Sequence, residues 1–401
     1  MDPATNPYSP GAGTPPPVLA GRDEILSQAS LALLRVKKSL PQKSFIAVGL
    51  RGVGKTVIMN QVNSLADNEG YLVAYMEAFD DISLAREISK KLRPILLKLS
   101  KGEMATELCK KALRALRSFA TALKVSYQGL DISVDIEEGL ADTGDISSDL
   151  PDLFEIIGQA ARDRGTAVAL IIDEIQYLSQ DDMDALIMAM HRCAQKQLPF
   201  VFFGAGLPQL RGKMGNAKSY VERLFDFPQI DALPDGEAEK AIADPAHKLG
   251  VSYTPEALSK VISTTQGYPY FIQEWGHAAW VTSVGPVITD GDIANATDVA
   301  LKRLDDSFFR VRLDRMTPTE KHYIRALAQL GPGSHRSGEV AEVYGDEVTR
   351  AAPIRSSLIA KGMIYSPSHG DTAFTVPLFD AFMRREMPDL PPPKRPLQAL
   401  G

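Results

Sequence analysis

Eight consecutive residues, Gly49-Leu50-Arg51-Gly52-Val53-Gly54-Lys55-Thr56, fit the pattern G-x-x-x-x-G-K-[ST] without substitution. Residues of these types in this order can hold a polyphosphate. Glycines let the backbone N–H groups turn inward with no Cβ in the way, and a helix starting at the end of the loop adds partial positive charge. Lys55 can reach the β- and γ-phosphates, and the Thr56 hydroxyl can ligate Mg²⁺. The candidate nucleotide contacts are therefore Gly49, Leu50, Arg51, Gly52, Val53, Gly54, Lys55, Thr56 and the helix-opening Val57. A second chemical pair, Asp173-Glu174, closes the apolar run Val168-Ala169-Leu170-Ile171-Ile172. A carboxylate at the end of a strand neighbouring that of the loop can hold Mg²⁺ through its water shell, which assigns Asp173 and Thr56 to the metal. Glu174, one step further out, can orient or deprotonate an attacking water. The cofactors implied are ATP and Mg²⁺.

These groups need a scaffold that brings a loop and a strand end together. The run Ser44-Phe45-Ile46-Ala47-Val48 before the loop reads as a buried parallel strand, and Val57 onward reads as a helix. From about residue 22 to 233 strands and helices alternate. Helices are expected over Asp23 to Ser39, Ile82 to Leu99 and Met183 to Gln195, and strands over Tyr71 to Met76, Val168 to Asp173 and Pro199 to Phe203. Phe227 to Ile230 is a candidate fifth strand. Apolar strands alternating with helices imply an α/β fold, with a parallel sheet covered on both faces. Residues 101–150 break the rhythm and read as an insertion: a basic helix with Lys110, Lys111, Arg114 and Arg117, then a hairpin about Gly129. Cations spaced in this way on a helix read as a solvated face.

The rest of the chain divides by composition. Residues 1–17 form a flexible Pro-rich arm, 18–233 the phosphate-loop core, 234–305 a helical lid, 306–388 a third unit and 389–401 a flexible tail. Lid helices are expected over Asp235 to Leu249, Pro255 to Thr265 and Tyr270 to Val281. Helical spacing assigns Tyr268, Tyr270, Phe271, Trp275 and Trp280 to the lid core. In the third unit, helices over Pro318 to Leu330, Ser337 to Tyr344 and Asp346 to Lys361 precede two short strands, the order of a winged helix-turn-helix. Its last helix carries Arg350, Arg355 and Lys361, candidate contacts to duplex DNA.

Bulk properties exclude several classes. The 401 residues are 44% hydrophobic and 23% charged, the balance of a folded globular chain. A net charge of −6 gives no global attraction to nucleic acid, so DNA contact requires a local patch. Cys109 and Cys193 lack metal-type spacing and read as small buried residues in a reducing compartment. No run approaches the ~18 apolar residues of a membrane span, and the first residues lack the pattern of a signal peptide. A cytoplasmic location without membrane contact is expected.

The order of phosphate loop, apolar strand ending in Asp-Glu, helical lid and winged helix resembles the AAA+ ATPases, most closely the branch of origin-recognition, archaeal-type and STAND ATPases. Three further stretches carry the resemblance. Leu19-Ala20-Gly21-Arg22-Asp23-Glu24 is similar to the G-R-[ED]-x-E box that packs around the adenine, which implies a nucleotide contact for Arg22. Thr265-Gln266-Gly267-Tyr268-Pro269-Tyr270 is similar to the G-x-P motif at the base of the lid, which implies one for Pro269. Ser219 to Phe225 stands where the family carries an arginine that completes a neighbour's site, which implies a catalytic role for Arg223 beside Lys55 and Glu174, and a homo-oligomer. The resemblance implies a nucleotide-dependent switch. The fourth strand ends in Phe203-Gly204-Ala205-Gly206, without the family's polar sensor, and no arginine stands near Pro269; both departures imply slow hydrolysis. Two alternatives remain open at this point: a STAND-type signalling or defence ATPase whose C-terminal domain binds protein, and a P-loop kinase.

Overall fold

A computed structural model describes residues 1–11, 13–79, 81–100, 106–125, 136–217 and 221–389. The chain divides into a sheet unit, residues 22–49 and 55–230, and a helical unit, residues 1–21, 50–54 and 231–401. The proposed hairpin about Gly129 and the tail beyond residue 389 lie outside the described residues.

The sheet unit runs α1 (Asp23–Lys37), β1 (Ser44–Gly49), α2 (Lys55–Asn68), β2 (Leu72–Glu77), α3 (Leu84–Leu99), α4 (Glu107–Ala122), α5 (Ile146–Asp163), β3 (Val168–Asp173), α6 (Gln180–Gln195), β4 (Phe200–Gly206), α7 (Leu210–Ala217), α8 (Val221–Leu224), β5 (Phe225–Asp226) and β6 (Gln229–Ile230). All strand pairings are parallel, in the order β2-β3-β4-β1-β5, with β6 also on β1. Burial follows from that order. Every residue of β1, β3 and β4 is buried, as strands covered on both faces require, whereas β2 at the edge alternates buried and partly exposed positions. One expectation is corrected. The strand ending in Asp173 does not neighbour the phosphate-loop strand, because β4 lies between β3 and β1.

The segment read as an insertion is largely part of this core. Leu113, Leu116 and Phe119 of α4 and Leu150, Leu153, Phe154 and Ile157 of α5 are buried in the cluster that packs the sheet. Phe154 stacks on Phe200 of β4 with ring centroids 4.6 Å apart. The basic face of α4 is solvated and paired: Lys110 with Glu107 at 2.8 Å, and Arg114 with Glu137 at 2.6 Å. Helix α5 was not expected, since Pro151 and Gly158 within it read as breakers. The Asp145 side chain accepts from Ser147 N at 3.0 Å and starts the helix. Gly158 is required by packing, because a Cβ there would stand 2.8 Å from Leu198 Cβ.

The helical unit runs α9 (Asp235–His247), β7 (Ser252–Tyr253), α10 (Pro255–Thr265), α11 (Pro269–Thr282), β8 (Val287–Ile288), α12 (Asp290–Arg303), a π-helical turn (Leu304–Phe309), α13 (Arg310–Asp314), α14 (Pro318–Leu330), β9 (Ser334–Arg336), α15 (Ser337–Tyr344), α16 (Val348–Ala360), β10 (Ile364–Tyr365), β11 (Asp371–Phe374) and α17 (Phe379–Glu386). Phe271, Trp275 and Trp280 are buried as expected of lid core. Helix α12 escaped prediction because its buried positions, Ile293, Ala296 and Ala300, make a stripe mostly of alanine. Three helices are followed by a sheet of order β10-β11-β9, so the expected pair of strands gains Ser334–Arg336 as a third.

The N-terminal arm does not behave as the composition suggests. Trp280 Nε1 donates to Asp2 O at 2.8 Å, and Asn6 Nδ2 donates to His277 O at 3.2 Å. Tyr8 is 2% exposed, donates to Ile242 O, and its hydroxyl lies 3.1 Å from that of Tyr253. Gly276 makes room for it, since a Cβ there would lie 2.5 Å from Tyr8 Cδ1. Over residues 1–10 the flexible-arm expectation is therefore wrong: one aromatic anchor and several main-chain bonds fix the arm. Among the described residues no helix is long and apolar enough to cross a membrane, and both cysteines are buried and free.

Tyr8→Ala is expected to destabilise the protein by about 3 kcal/mol and Tyr8→Phe by about 1 kcal/mol, measured by urea unfolding. Wild-type stability for Tyr8→Ala would show that the arm is not anchored.

Candidate nucleotide site

The site begins where β1 ends. Gly49 closes the strand, and Lys55 and Thr56 open α2. Gly52 and Gly54 have φ of 85° and 96°, the left-handed region that favours glycine, so the turn needs both. Lys55 is 5% exposed and Val57 is buried beneath the loop. Although β4 separates their strands, the Thr56 hydroxyl donates to Asp173 Oδ2 at 2.6 Å. This bond joins the start of α2 to the end of β3 and fixes two oxygens side by side.

Around it the strand ends place further carboxylates. Asp173 is 1% exposed. Burial raises its pKa above the ordinary aspartate value and the Glu174 charge adds to that, while the bond from Thr56, the Glu174 N–H at 2.8 Å and the Lys55 charge oppose it. Glu77, the last residue of β2, pairs in register with Asp173. Its pKa is also raised, by burial and then by the charges of Asp173 and Glu174. Glu174 adopts φ 53° and ψ 40°, a left-handed conformation in a residue other than glycine. Gln176 donates its amide to Glu174 Oε2 and accepts from Leu207 N at 3.1 Å. Hard oxygen donors of this kind suit Mg²⁺, and a cation there would relieve the excess negative charge that raises the two pKa values. Among the described residues no cluster of three or more acidic, His or Cys side chains forms a metal cage, as expected of an ion held mainly by water and phosphate.

The loop's crown, Leu50–Gly54, belongs to the helical unit. There Tyr270 N donates to Gly52 O at 3.3 Å, and a Cβ on Gly52 would lie 2.9 Å from Tyr268 Cε1. The lid aromatics thus serve the loop as well as the core.

Residues 18–203 match the family model described as "AAA ATPase domain". The chain carries an AAA ATPase domain. It is accordingly an ATPase. Residues 306–383 match a domain of unknown function (DUF8462). No curated protein matches the chain. Among solved structures, the Walker-type ATPase PABY2304 of Pyrococcus abyssi is 13% identical, with a TM-score of 0.57 over 91% of this chain and 96% of that one. This likeness is one of fold. The Aeropyrum pernix ORC1 protein in complex with DNA is 14% identical (TM-score 0.45, 92% and 94% covered). The Thermotoga maritima RuvB Holliday junction branch migration motor is 13% identical (TM-score 0.42, 88% and 92% covered).

Within the AAA ATPase domain, Arg22 precedes α1 and is 8% exposed. Pro269, at the first turn of α11, belongs to the helical unit. Arg223 is not brought to Asp173 and Glu174. It lines a cavity of about 490 Å³ with Ser44 and Phe200, the first residues of β1 and β4, at the opposite end of the strands from the loop. It does not pair with Glu222 or Asp226; Lys43 takes Asp226 at 3.1 Å.

The third unit requires a correction. Arg355 donates to Thr372 Oγ1 at 2.8 Å, Ser366 Oγ at 3.0 Å and Asp371 O at 2.6 Å. Lys361 pairs with Glu320 at 2.7 Å and donates to Arg315 O at 3.1 Å. Both cations hold the unit together, so neither is a DNA contact. Arg350 alone of the three has a largely exposed side chain, near Asp346 and Glu347.

Sequence reasoning missed Glu77 and Gln176. A strand ending in Glu opposite Asp173 could have flagged the first. The second stands against Gly206, where a Cβ would meet Gln176 Oε1 at 2.9 Å. The glycines that removed a sensor from β4 thus make room for an amide from the following turn of β3.

Asp173→Asn keeps an acceptor for Thr56 and removes a buried charge. It is expected to stabilise the Mg²⁺-free protein by roughly 1 kcal/mol at neutral pH, read by thermal unfolding in chelator. A loss of stability would contradict the raised pKa.

Proposed function

We propose that this ATPase is a slow nucleotide-dependent switch. The observation that carries the reading is the 2.6 Å bond between Thr56 and Asp173, which brings the loop helix and the carboxylate strand to one point. In this reading Gly49 to Val57 wrap the phosphates, with Arg22 and Pro269 at the base. Lys55 neutralises phosphate charge. Thr56 and Asp173 hold Mg²⁺, which when bound supplies charge neutralisation across the phosphates. Glu174 orients the attacking water and accepts its proton.

Two features support slow turnover. The Glu174 carboxylate is already engaged by the Gln176 amide, so it must exchange that bond to take a proton from water. The end of β4 offers Gly204, Ala205 and Gly206, none with a polar side chain to stabilise the transferring phosphoryl group. Arg223, away from its own site and without a carboxylate partner at Glu222 or Asp226, is placed in a neighbouring copy's site, making a homo-oligomer the active form.

The C-terminal part, with helices α14 to α16 and three short strands, serves in this reading as a winged helix that passes the nucleotide state to a partner. For DNA the remaining cation is Arg350. A second reading, in which this module docks on protein, is favoured by the internal bonding of Arg355 and Lys361.

One series tests these roles: phosphate release and ATP binding measured with and without duplex DNA. Lys55→Ala is expected to lose ATP binding. Glu174→Gln should keep it and lose at least ~10²-fold in turnover, and Arg223→Ala should lose turnover only in the assembled form. Release of phosphate by Glu174→Gln at the wild-type rate would refute the base assignment. A rate in wild type unmoved by DNA, or unchanged by Arg350→Ala, would leave the protein-docking reading.

A further inference from the structure

The crown of the phosphate loop is surrounded, within the helical unit, by cationic and aromatic groups whose bonding is incomplete. Tyr268 is 2% exposed and its hydroxyl has no hydrogen-bond partner. That hydroxyl stands 3.5 Å from the position a Cβ would take on Gly52. Burial raises its pKa, so it stays protonated and keeps a proton to donate. Next to it, the Tyr270 ring stacks on Phe308 with centroids 4.7 Å apart. The Arg312 guanidinium lies over the same Phe308 ring at 3.7 Å and donates to Phe308 O at 2.6 Å. Among the described residues no carboxylate pairs with Arg312. Glu274, further along α11, is taken by the Tyr270 hydroxyl at 3.0 Å and by Arg303 at 3.8 Å.

A second guanidinium comes from the loop itself. Arg51 reaches Gly362, where an added Cβ would lie 2.8 Å from its Nη2. Arg51 and Arg312 are near enough to repel: burial, then the Arg51 charge, pulls the Arg312 pKa down to about 10. Both charges also act on Tyr268. Two like charges sharing a partly buried site cost free energy, and so does a buried hydroxyl with no partner. One anion would offset both costs at once.

We propose that Arg51, Arg312 and Tyr268 form a phosphoanion site whose ligand is the terminal phosphate of the nucleotide in the loop. The charge argues for the terminal group. The loop amides and Lys55 serve the phosphates that a diphosphate also has, and this cluster matches the additional negative charge of a triphosphate. Arg312 then supplies the arginine that the G-x-P stretch lacks, from α13, some forty residues further along the chain. This inference rests on the nucleotide reading above and adds to it discrimination of ATP from ADP.

The test is calorimetric binding of ATP, ADP and inorganic phosphate to wild type, Arg312→Gln, Tyr268→Phe and Lys55→Ala, with thermal unfolding of each free protein. Arg312→Gln is expected to weaken ATP about tenfold or more, to leave ADP within about twofold, and to melt at or above the wild-type temperature, because the repulsion is gone. Tyr268→Phe should weaken ATP alone, by a few-fold. Equal losses for ATP and ADP, or no loss for either, would overturn the site. So would a lower melting temperature of free Arg312→Gln with unchanged preference for ATP, since that marks a purely structural arginine. Phosphate bound by wild type and not by Arg312→Gln, with ATP affinity unaffected, would overturn the terminal-phosphate assignment in favour of a free anion. Wild-type ATP binding by Lys55→Ala would instead sink the nucleotide reading, a failure separable from that of Arg312.

Discussion

A single hydrogen bond organises the chemistry of this protein: the Thr56 hydroxyl on Asp173 Oδ2, 2.6 Å long. It requires that α2 start directly at the end of the loop, that β3 end level with that start, and that β4, which lies between, present no bulk in the way. The sequence of β4 meets the last condition with Gly204 and Gly206. A Cβ at the first would lie 2.2 Å from Ile175 Cδ1, and at the second 2.9 Å from Gln176 Oε1. The turn after β3 can therefore fold back onto β4, which fixes Glu174 in its left-handed conformation beside Asp173.

The electrostatics follow from the same arrangement. Parallel strands all end at one edge, and here three of their terminal carboxyl groups, Glu77, Asp173 and Glu174, crowd together under partial burial. Such a cluster is costly without a cation. The ATPase thus keeps a site short of positive charge in its sheet unit, and beside the crown a cluster with excess positive charge, Arg51 and Arg312. Each imbalance is what one end of a Mg²⁺–triphosphate would relieve.

Much of this was legible in the sequence because the signals are local. The loop motif is contiguous, and β1, β3 and β4 are uniformly apolar because each is covered on both faces. The legible site residues, Lys55, Thr56, Asp173 and Glu174, sit at the ends of those strands. What was not legible depended on packing between distant segments. The strand order, which inserts β4 between β1 and β3, leaves no local trace. Helix α5 was hidden because Pro151 and Gly158 look like breakers until Leu198 is seen to need the space. The arm looked flexible because its proline content says nothing of Tyr8 finding Ile242 and Tyr253. Arg355 and Lys361 looked like a nucleic-acid face because helical spacing does not reveal that Thr372, Asp371 and Glu320 take them. Gln176 carried no motif at all.

The account stands on the claim that Thr56 and Asp173 form one cation-holding pair at the mouth of the loop. The most direct measurement is ATP affinity with Mg²⁺ and with chelator, by calorimetry, on wild type and Thr56→Val. The predicted result is Mg²⁺-dependent tightening in wild type and its loss in Thr56→Val, with the affinity in chelator unchanged. The same Mg²⁺ dependence in both proteins would contradict it.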